Sequence, residues 1–246
     1  EALDLRAASP DFVRIYEAGT PDEAAALAVQ LVRTGEAEVL MKGLINTDNL
    51  LRAVLKKGEG LLPEGGVLSH VAVIEMPGRE RLLSVSDVAV IPLPDFKQKM
   101  KQIGYLSATA NLLGITTPKI ACIAPSEQVL PSVISSTEGA LLAKMGDRGQ
   151  LGNVIIDGPL SLDVALYKEV AEHKKVKGSS VAGDPDCLLF PNLESANVFF
   201  KCASHLCGGE LAAMVMGTKV PCVLTSRGDT SLTKLYSIAL ACLAAK

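Results

Sequence analysis

The sequence predicts an α/β protein with mostly parallel sheets and helices on both faces. Short apolar runs rich in β-branched residues alternate along the chain with segments whose apolar residues recur at helical spacing. With 246 residues, of which 48% are hydrophobic and 21% charged, the chain can bury a large core in one or two domains. Parallel strands joined by helices form a doubly wound sheet, which binds ligands at the carboxyl ends of its strands.

Composition excludes several classes of protein. The formal net charge of −3 gives no basic surface for nucleic acid, and no uncharged run reaches the ~18–20 apolar residues of a membrane span. The six cysteines include no C-x-x-C pair and lie mostly in apolar runs, which is typical of buried free thiols in a reducing compartment. We therefore expect a cytoplasmic protein that binds neither nucleic acid nor a membrane.

The first part of the chain extends to a break at Pro92-Leu93-Pro94, where we place a domain boundary. Thr20-Pro21-Asp22-Glu23 is a capping-box signature, which predicts a helix to about Thr34. His70 lies between apolar neighbours and is interpreted as a satisfied packing residue. The other elements expected in this part are strands at Phe12–Tyr16, Glu38–Met41, Val67–Glu75 and Leu82–Ile91, the last two forming a hairpin, and a helix from Asp48 to about Lys57.

The second part repeats the alternation of strand and helix. Expected strands are Lys119–Ala124, Val154–Ile156 and Cys187–Phe190; expected helices are Asp95 to about Leu113, Ser132–Lys144, Ser161–Glu172 and Ser195 to about Met216, the last broken at Gly208-Gly209.

The stretch from Val220 to Tyr236 has the strongest functional pattern. An apolar run stops at Ser226-Arg227-Gly228-Asp229, and helical spacing follows. A helix N-terminus at such a turn favours an anion, while the guanidinium and the carboxylate suit an anionic substrate and a proton transfer. The alternative is a capped helix with Asp229 or Thr230 at the N-cap and Arg227 at the surface.

A second strand-loop-helix junction contains Lys42 and Thr47, with Arg52 one helical turn further on. Together they predict a phosphate-binding loop, although the pattern is not a Walker motif. Asn192 and Asp157 follow predicted strands, where either a ligand contact or a capping turn would suit them. Asp184 and Asp186 precede their strand. Because no spacing of histidine, cysteine or carboxylate residues is typical of a metal centre, we predict no metal site.

Several motifs together resemble the phosphate acetyl/butyryltransferase family. They are the DGPLSLD run at 157–163, AGDPD at 182–186, FPN at 190–192, TSRGD at 225–229 and MKGLINTDNLLRAVL at 41–55. The resemblance covers nearly the whole chain in the right order. It is closer to the phosphate butyryltransferases than to the acetate-specific enzymes, chiefly through residues 224–227 and the DGPLSLDVA run.

The resemblance implies two α/β/α domains like those of isocitrate and isopropylmalate dehydrogenases, with the active site in the cleft between them. The first domain would comprise residues 1–93 and 220–246, and the second residues 94–219. The implied reaction converts acyl-CoA and orthophosphate to acyl phosphate and coenzyme A, with a butyryl or branched short acyl group. Coenzyme A would be a substrate or product rather than a resident cofactor. We also expect a homodimer or a higher homo-oligomer.

The resemblance also assigns roles to residues. Ser226 and Arg227 carry over directly as catalytic residues. The acetate-specific enzymes have a catalytic aspartate seven residues after the serine, where this chain has Thr233. We therefore expect Asp229 to handle the thiol proton instead. Lys42, Thr47, Arg52 and Asn192 are expected to bind substrate.

Two other functions remain open from the sequence. A metal- and nicotinamide-dependent decarboxylating dehydrogenase would share the fold, but it needs clustered aspartates, and Asp157, Asp184 and Asp186 are not visibly paired for a cation. A non-catalytic protein that binds acyl-CoA or another anion would keep the cleft without turnover.

Overall fold

The computed structural model describes residues 13–226 and 228–245, which form an α/β fold around one mixed, mostly parallel sheet. The strands are β1 (Leu40–Met41), β2 (Ser69–Glu75), β3 (Leu83–Ser86), β4 (Lys119–Ile123), β5 (Ile155–Leu160), β6 (Cys187–Leu189), β7 (Glu210–Met216) and β8 (Cys222–Val223). The helices are α1 (Pro21–Arg33), α2 (Thr47–Val54), α3 (Phe96–Leu112), α4 (Ile134–Asp147), α5 (Leu162–Leu166), α6 (Lys168–His173), α7 (Leu193–His205) and α8 (Ser231–Ala244).

The eight strands lie in the order β1-β8-β7-β2-β3-β6-β4-β5. β3, β6, β4 and β5 run parallel to one another, and β1 runs parallel to β8. β2 is antiparallel to both of its neighbours, β3 and β7, and its pairing with β3 confirms the expected hairpin. Parallel strands buried on both faces explain the continuous apolar runs in the sequence.

Helices cover both faces of the sheet. On one face, Ala196 and Ala203 of α7 pack in the same cluster as Leu188 of β6. On the other face, Ile103 of α3 packs with Cys187 and its neighbours. Successive residues of one strand thus enter different cores, as strand geometry requires. Within the described ranges, no helix is long and apolar enough to cross a membrane.

The expected helix from Ser195 to about Met216 is wrong in its second half, where the chain forms strand β7. Gly208 has a φ of +70°, and a Cβ at Gly209 would lie 2.9 Å from the carbonyl oxygen of Ala203, so the helix ends there. Ala, Leu and Met favour helices in isolation, but residues 210–216 pair with all of β2. Burial in the middle of the sheet outweighs that intrinsic preference.

Several smaller expectations also differ from the structure. Residues 13–16 form no strand, and Phe12 lies outside the described residues. The strand expected to reach Ile91 ends at Ser86, because the next residues wrap around Asp87. The helix expected over Ser161–Glu172 is two short helices. Asp95 does form the capping interaction that a helix start requires, with Gln98 as its reciprocal partner.

Helix α8 covers the part of β7 that, among the described residues, has no strand beside it on the β8 side. β7 pairs with β8 only at Val215 and Cys222. Further along that edge, the N–H of Ala213 donates to Oγ of Ser237 in α8 (3.0 Å), and this hydroxyl donates to the carbonyl oxygen of Thr233 (2.7 Å). A side chain of α8 therefore satisfies a backbone group that a longer β8 would have paired.

Candidate active site

The turn between β8 and α8 is closed by its own polar groups. Oδ2 of Asp229 accepts from the N–H of Ser226 (2.7 Å), and the N–H of Asp229 donates to the carbonyl oxygen of Ser226 (3.2 Å). Thr230 is the N-cap of α8, because its Oγ1 accepts from the N–H of Thr233 (3.0 Å). Of the two caps that the sequence allowed, Thr230 is thus the observed one. Arg227 lies outside the described residues.

The two junctions singled out in the sequence lie side by side. β1 and β8 are parallel, so their carboxyl ends reach the same edge, and the N–H of Lys42 donates to the carbonyl oxygen of Val223 (2.9 Å). Ser226 follows Val223 by three residues. The structure therefore brings the Lys42 loop next to the strand that leads into the turn.

The two basic side chains of the Lys42 junction have partners within the protein. Lys42 is 5% exposed, and its Nζ donates to the carbonyl oxygens of Gly43 and Ile45 (both 3.2 Å). Thr47 is the first residue of α2. Arg52 is exposed and lies 3.4 Å from Oδ1 of Asp22 in α1. The buried ammonium of Lys42 thus holds its own loop in shape.

A cavity of about 420 Å³ lies between α7 and α8, over β2 and β7. Ser226, Asp229 and Thr233 line it on the side of the turn. Its apolar wall is formed by Val88, Phe200, Leu211, Ala213 and Leu224. The cavity therefore combines polar groups beside a helix N-terminus with an apolar surface, as small-molecule sites commonly do.

Four residues expected to bind substrate are not among those that line this cavity. They are Lys42, Thr47, Arg52 and Asn192. Asn192 is the N-cap of α7, and its Oδ1 accepts from the N–H of Ser195 (2.9 Å). Asn192 therefore has the capping contact that the sequence allowed as an alternative to a ligand contact.

Two of the three aspartates considered for a metal ion are paired with basic side chains; the third, Asp157, lies within β5, and its Oδ1 accepts from the N–H of the next residue (2.8 Å). Oδ1 of Asp186 lies 2.8 Å from Nη1 of Arg81, and Oδ2 of Asp184 lies 2.7 Å from Nζ of Lys119. Arg81 also contacts Asp184. Among the described residues, no group of three or more His, Cys, Asp or Glu side chains could hold a metal ion.

His70 faces the same cavity as Ser226 and Asp229, which the interpretation as a satisfied packing residue did not anticipate. It is 4% exposed, and among the described residues its Nδ1 has no hydrogen-bond partner. Burial lowers its pKa below the usual 6.5, while the negative charges of Asp87 and Asp229 act in the opposite direction. The imidazole is therefore neutral at neutral pH.

Asp87 is a buried carboxylate held by donors from two segments. Its Oδ1 accepts from the N–H groups of Ala89 and Val90 (both 2.9 Å), and its Oδ2 accepts from Oγ of Ser69 (2.9 Å) and from the N–H of Ile91 (3.2 Å). Ser69 is the neighbour of His70 in β2. No signal in the sequence pointed to this part of the site, because the predicted strand ran to Ile91 and included Asp87, whereas the observed strand ends at Ser86.

The cysteine nearest the turn is a poor nucleophile. Cys222 is buried in β8, and burial raises the pKa of its thiol to about 11. Since the thiolate is the reactive form, this residue is protonated at neutral pH. The six cysteines are free; Cys207 and Cys242 are exposed, contrary to the expectation that the thiols are mostly buried.

Comparison with known proteins gives consistent similarities over nearly the whole chain. Residues 15–242 match the family model for phosphate acetyl/butaryl transferase. A phosphate butyryltransferase of Clostridium beijerinckii is 45% identical over 231 residues, which are 94% of this chain and 76% of that protein.

Solved structures show the same relationship. A branched-chain phosphotransacylase from Enterococcus faecalis V583 superposes with a TM-score of 0.87 at 30% identity, covering 96% of this chain and 84% of that one. A 4-hydroxythreonine-4-phosphate dehydrogenase from Klebsiella pneumoniae superposes with a TM-score of 0.52 at 12% identity, over 92% of this chain and 70% of that one. The second likeness concerns the fold alone, and it agrees with the expected relation to dehydrogenase folds.

Proposed function

The chain belongs to the phosphate acetyl/butaryl transferase family, and from that premise we propose how its site carries out the reaction. It is a phosphate acyltransferase, which moves an acyl group between coenzyme A and orthophosphate. The observation that carries the mechanism is that Thr225, Ser226, Gly228 and Asp229 of the turn line a cavity with an apolar wall. An anion and a short acyl chain are suited to these two sides of one cavity.

We propose that phosphate attacks the thioester directly. A phosphate oxygen bonds to the carbonyl carbon, and the bond from carbon to sulfur then breaks. The protein must hold two anionic partners together and stabilise charge on the carbonyl oxygen. Ser226 and the N-terminus of α8 are the donors proposed for this charge. By family likeness, Arg227 would bind the phosphate with its two-pronged guanidinium.

Asp229 is our candidate for handling the thiol proton. It lines the cavity, and Oδ2 is held by the N–H of Ser226. Thr233, at the position of the family aspartate, is 7% exposed, and its Oγ1 lies 3.0 Å from Oγ1 of Thr230. A threonine hydroxyl does not titrate near neutral pH, so the chain needs another group for this step.

The proposed acyl group is butyryl or a branched short chain. Two similarities support this choice, to a phosphate butyryltransferase and to a branched-chain phosphotransacylase. The apolar wall of the cavity supports it as well, because Leu211 and Leu224 are apolar and Ala213 is small.

The wider organisation is also a proposal. The cavity is lined by His70 and Ser226 from the proposed first domain and by Phe200 and Ala213 from the second, which supports a site in a cleft between two domains. We propose that the protein is a cytoplasmic homo-oligomer. We also propose that its substrates extend beyond the cavity and contact Lys42, Thr47, Arg52 and Asn192 there. No resident cofactor is proposed, since coenzyme A enters and leaves as a reactant.

The reaction is tested by incubating the protein with butyryl-CoA and following free thiol. Release should require phosphate and should proceed without nicotinamide. EDTA should leave it within a few-fold of the untreated rate, because Asp184 and Asp186 are already paired with basic residues. Loss of turnover in EDTA that magnesium restores would favour the dehydrogenase-like alternative, and binding without thiol release would favour the non-catalytic one.

Replacing Asp229 by Asn should lower turnover ~10²–10⁴-fold, the usual effect of losing a group that takes part in proton transfer. Thr233→Val should remain within a few-fold of the parent, because it removes about one hydrogen bond, worth roughly 0.5–1.5 kcal/mol. The comparison requires both variants to show the circular dichroism spectrum of the parent. A nearly active Asp229→Asn variant beside an inactive Thr233→Val variant would reverse the assignment.

Replacing Ala213 by Leu should fill the apolar side of the cavity. One methylene changes binding by ~1–3 kcal/mol, so kcat/KM for butyryl-CoA relative to acetyl-CoA should fall roughly 10–200-fold. Ala212→Leu is the matched control, since the side chain of Ala212 lies on the opposite face of β7. Equal losses for both substrates in the Ala213 variant would show that this wall does not bind the acyl chain.

A further inference from the structure

The proposed reaction has to move one proton from phosphate to sulfur. Hydrogen phosphate enters with a proton that the acyl phosphate dianion no longer has, and the leaving thiolate must gain one to become coenzyme A. A group that carries this proton has to accept it near the phosphate and release it near the sulfur. A neutral imidazole can do both, because one ring nitrogen accepts a proton while the other already has one.

His70 is a buried imidazole at the cavity that has no assigned role in the proposed mechanism. It lies on β2 under the turn, with 4% of its surface exposed, and it lines the same cavity as Ser226 and Asp229. Its Nδ1 lacks a hydrogen-bond partner among residues 13–226 and 228–245. A buried polar atom normally has a partner, so the unpaired Nδ1 shows that this cavity-lining residue lacks, within the described part of the chain, the hydrogen bond that a purely structural histidine would make.

The charged groups around His70 come from several elements. Asp87 follows β3 and Asp229 belongs to the turn, and both favour a charged imidazole. Lys201 and His205 of α7 line the cavity, where both are exposed. Thr233 and Ser237 of α8 and its N-cap Thr230 also line the cavity. The two carboxylates can therefore stabilise an imidazolium that forms briefly during turnover.

We propose that His70 carries the proton from phosphate to the coenzyme A sulfur, with Asp229 and Asp87 stabilising its charged form. The inference rests on the acyl transfer proposed above. As the phosphate oxygen bonds to the carbonyl carbon, the phosphate proton passes to the imidazole. When the bond from carbon to sulfur breaks, the imidazolium returns that proton to the thiolate, so His70 ends the cycle neutral. In this scheme Asp229 does not take up the thiol proton itself; it stabilises the imidazolium of His70, which delivers that proton.

Replacing His70 by Gln tests this role while keeping a side chain of polar character. We expect kcat to fall ~10²–10⁴-fold, while KM for phosphate and for butyryl-CoA changes only a few-fold. His173→Gln is the matched control, since His173 is exposed at the end of α6 and away from the cavity; its kinetics should equal those of the parent.

The pH dependence gives a readout that a purely structural role would not change. Because the working form of His70 is neutral and its pKa is lowered, kcat/KM of the parent should fall as the pH drops through a value below 6.5. The His70→Gln variant should lack the acid limb, which is the part of this fall that is due to His70. The part that is due to protonation of the substrate phosphate should remain in both proteins. In the folded parent, the limb should coincide with the titration of the His70 ring proton followed by nuclear magnetic resonance.

A second variant, His70→Ala, leaves space for a free imidazole. Added imidazole should restore part of the lost turnover, and imidazoles of different basicity should restore different fractions. Parallel pH profiles of parent and His70→Gln, or absence of any rescue, would overturn the proposal. The proposal would also be overturned if the acid limb of the parent did not follow the titration of His70. This measurement uses the parent alone, so it holds even if both variants fail to fold. If the parent itself releases no thiol, the proposed acyl transfer fails instead.

Discussion

One row of paired residues across the sheet determines where the site forms. His70 of β2 lies opposite Val215 of β7, Val215 lies opposite Cys222 of β8, and Cys222 lies opposite Leu40 of β1. β8 contains only two residues, so the chain leaves the sheet at Val223 and turns at once toward α8. A longer β8 would carry the turn away from His70. The register of this row therefore sets the distance between the turn and the imidazole.

The same short strand explains the position of α8. Since β8 ends early, part of the edge of β7 has no strand beside it, and Ser237 of α8 supplies the missing acceptor. A helix fixed along that edge presents its N-terminus to the turn, where Thr230 caps it. The apolar wall around Ala213 is formed by the same strand. Edge protection, helix capping and cavity shape thus follow from one local feature of the sheet.

The sequence predicted most strands, because apolar periodicity and Gly/Pro signals are local properties, whereas the chemistry expected of the turn stays a prediction. β7 was mistaken for helix, since its alanines and methionines prefer helices and only pairing with β2 decides otherwise. His70 was assigned to packing, because no local pattern shows that Ser226, more than 150 residues away, lies beside the same cavity. The contact of Arg52 with Asp22 is long-range, and Asn192 forms a helix cap. The prediction for Arg227 falls outside the described residues.

The central claim is that phosphate attacks the thioester directly, in a site whose nearest cysteine has a thiol pKa of about 11. Isotope exchange tests it most directly: the protein is incubated with butyryl-CoA and labelled coenzyme A, with phosphate left out. Direct attack forms no acyl-enzyme, so label should enter butyryl-CoA only after phosphate is added. Rapid exchange without phosphate would require a covalent acyl-enzyme and would contradict the account.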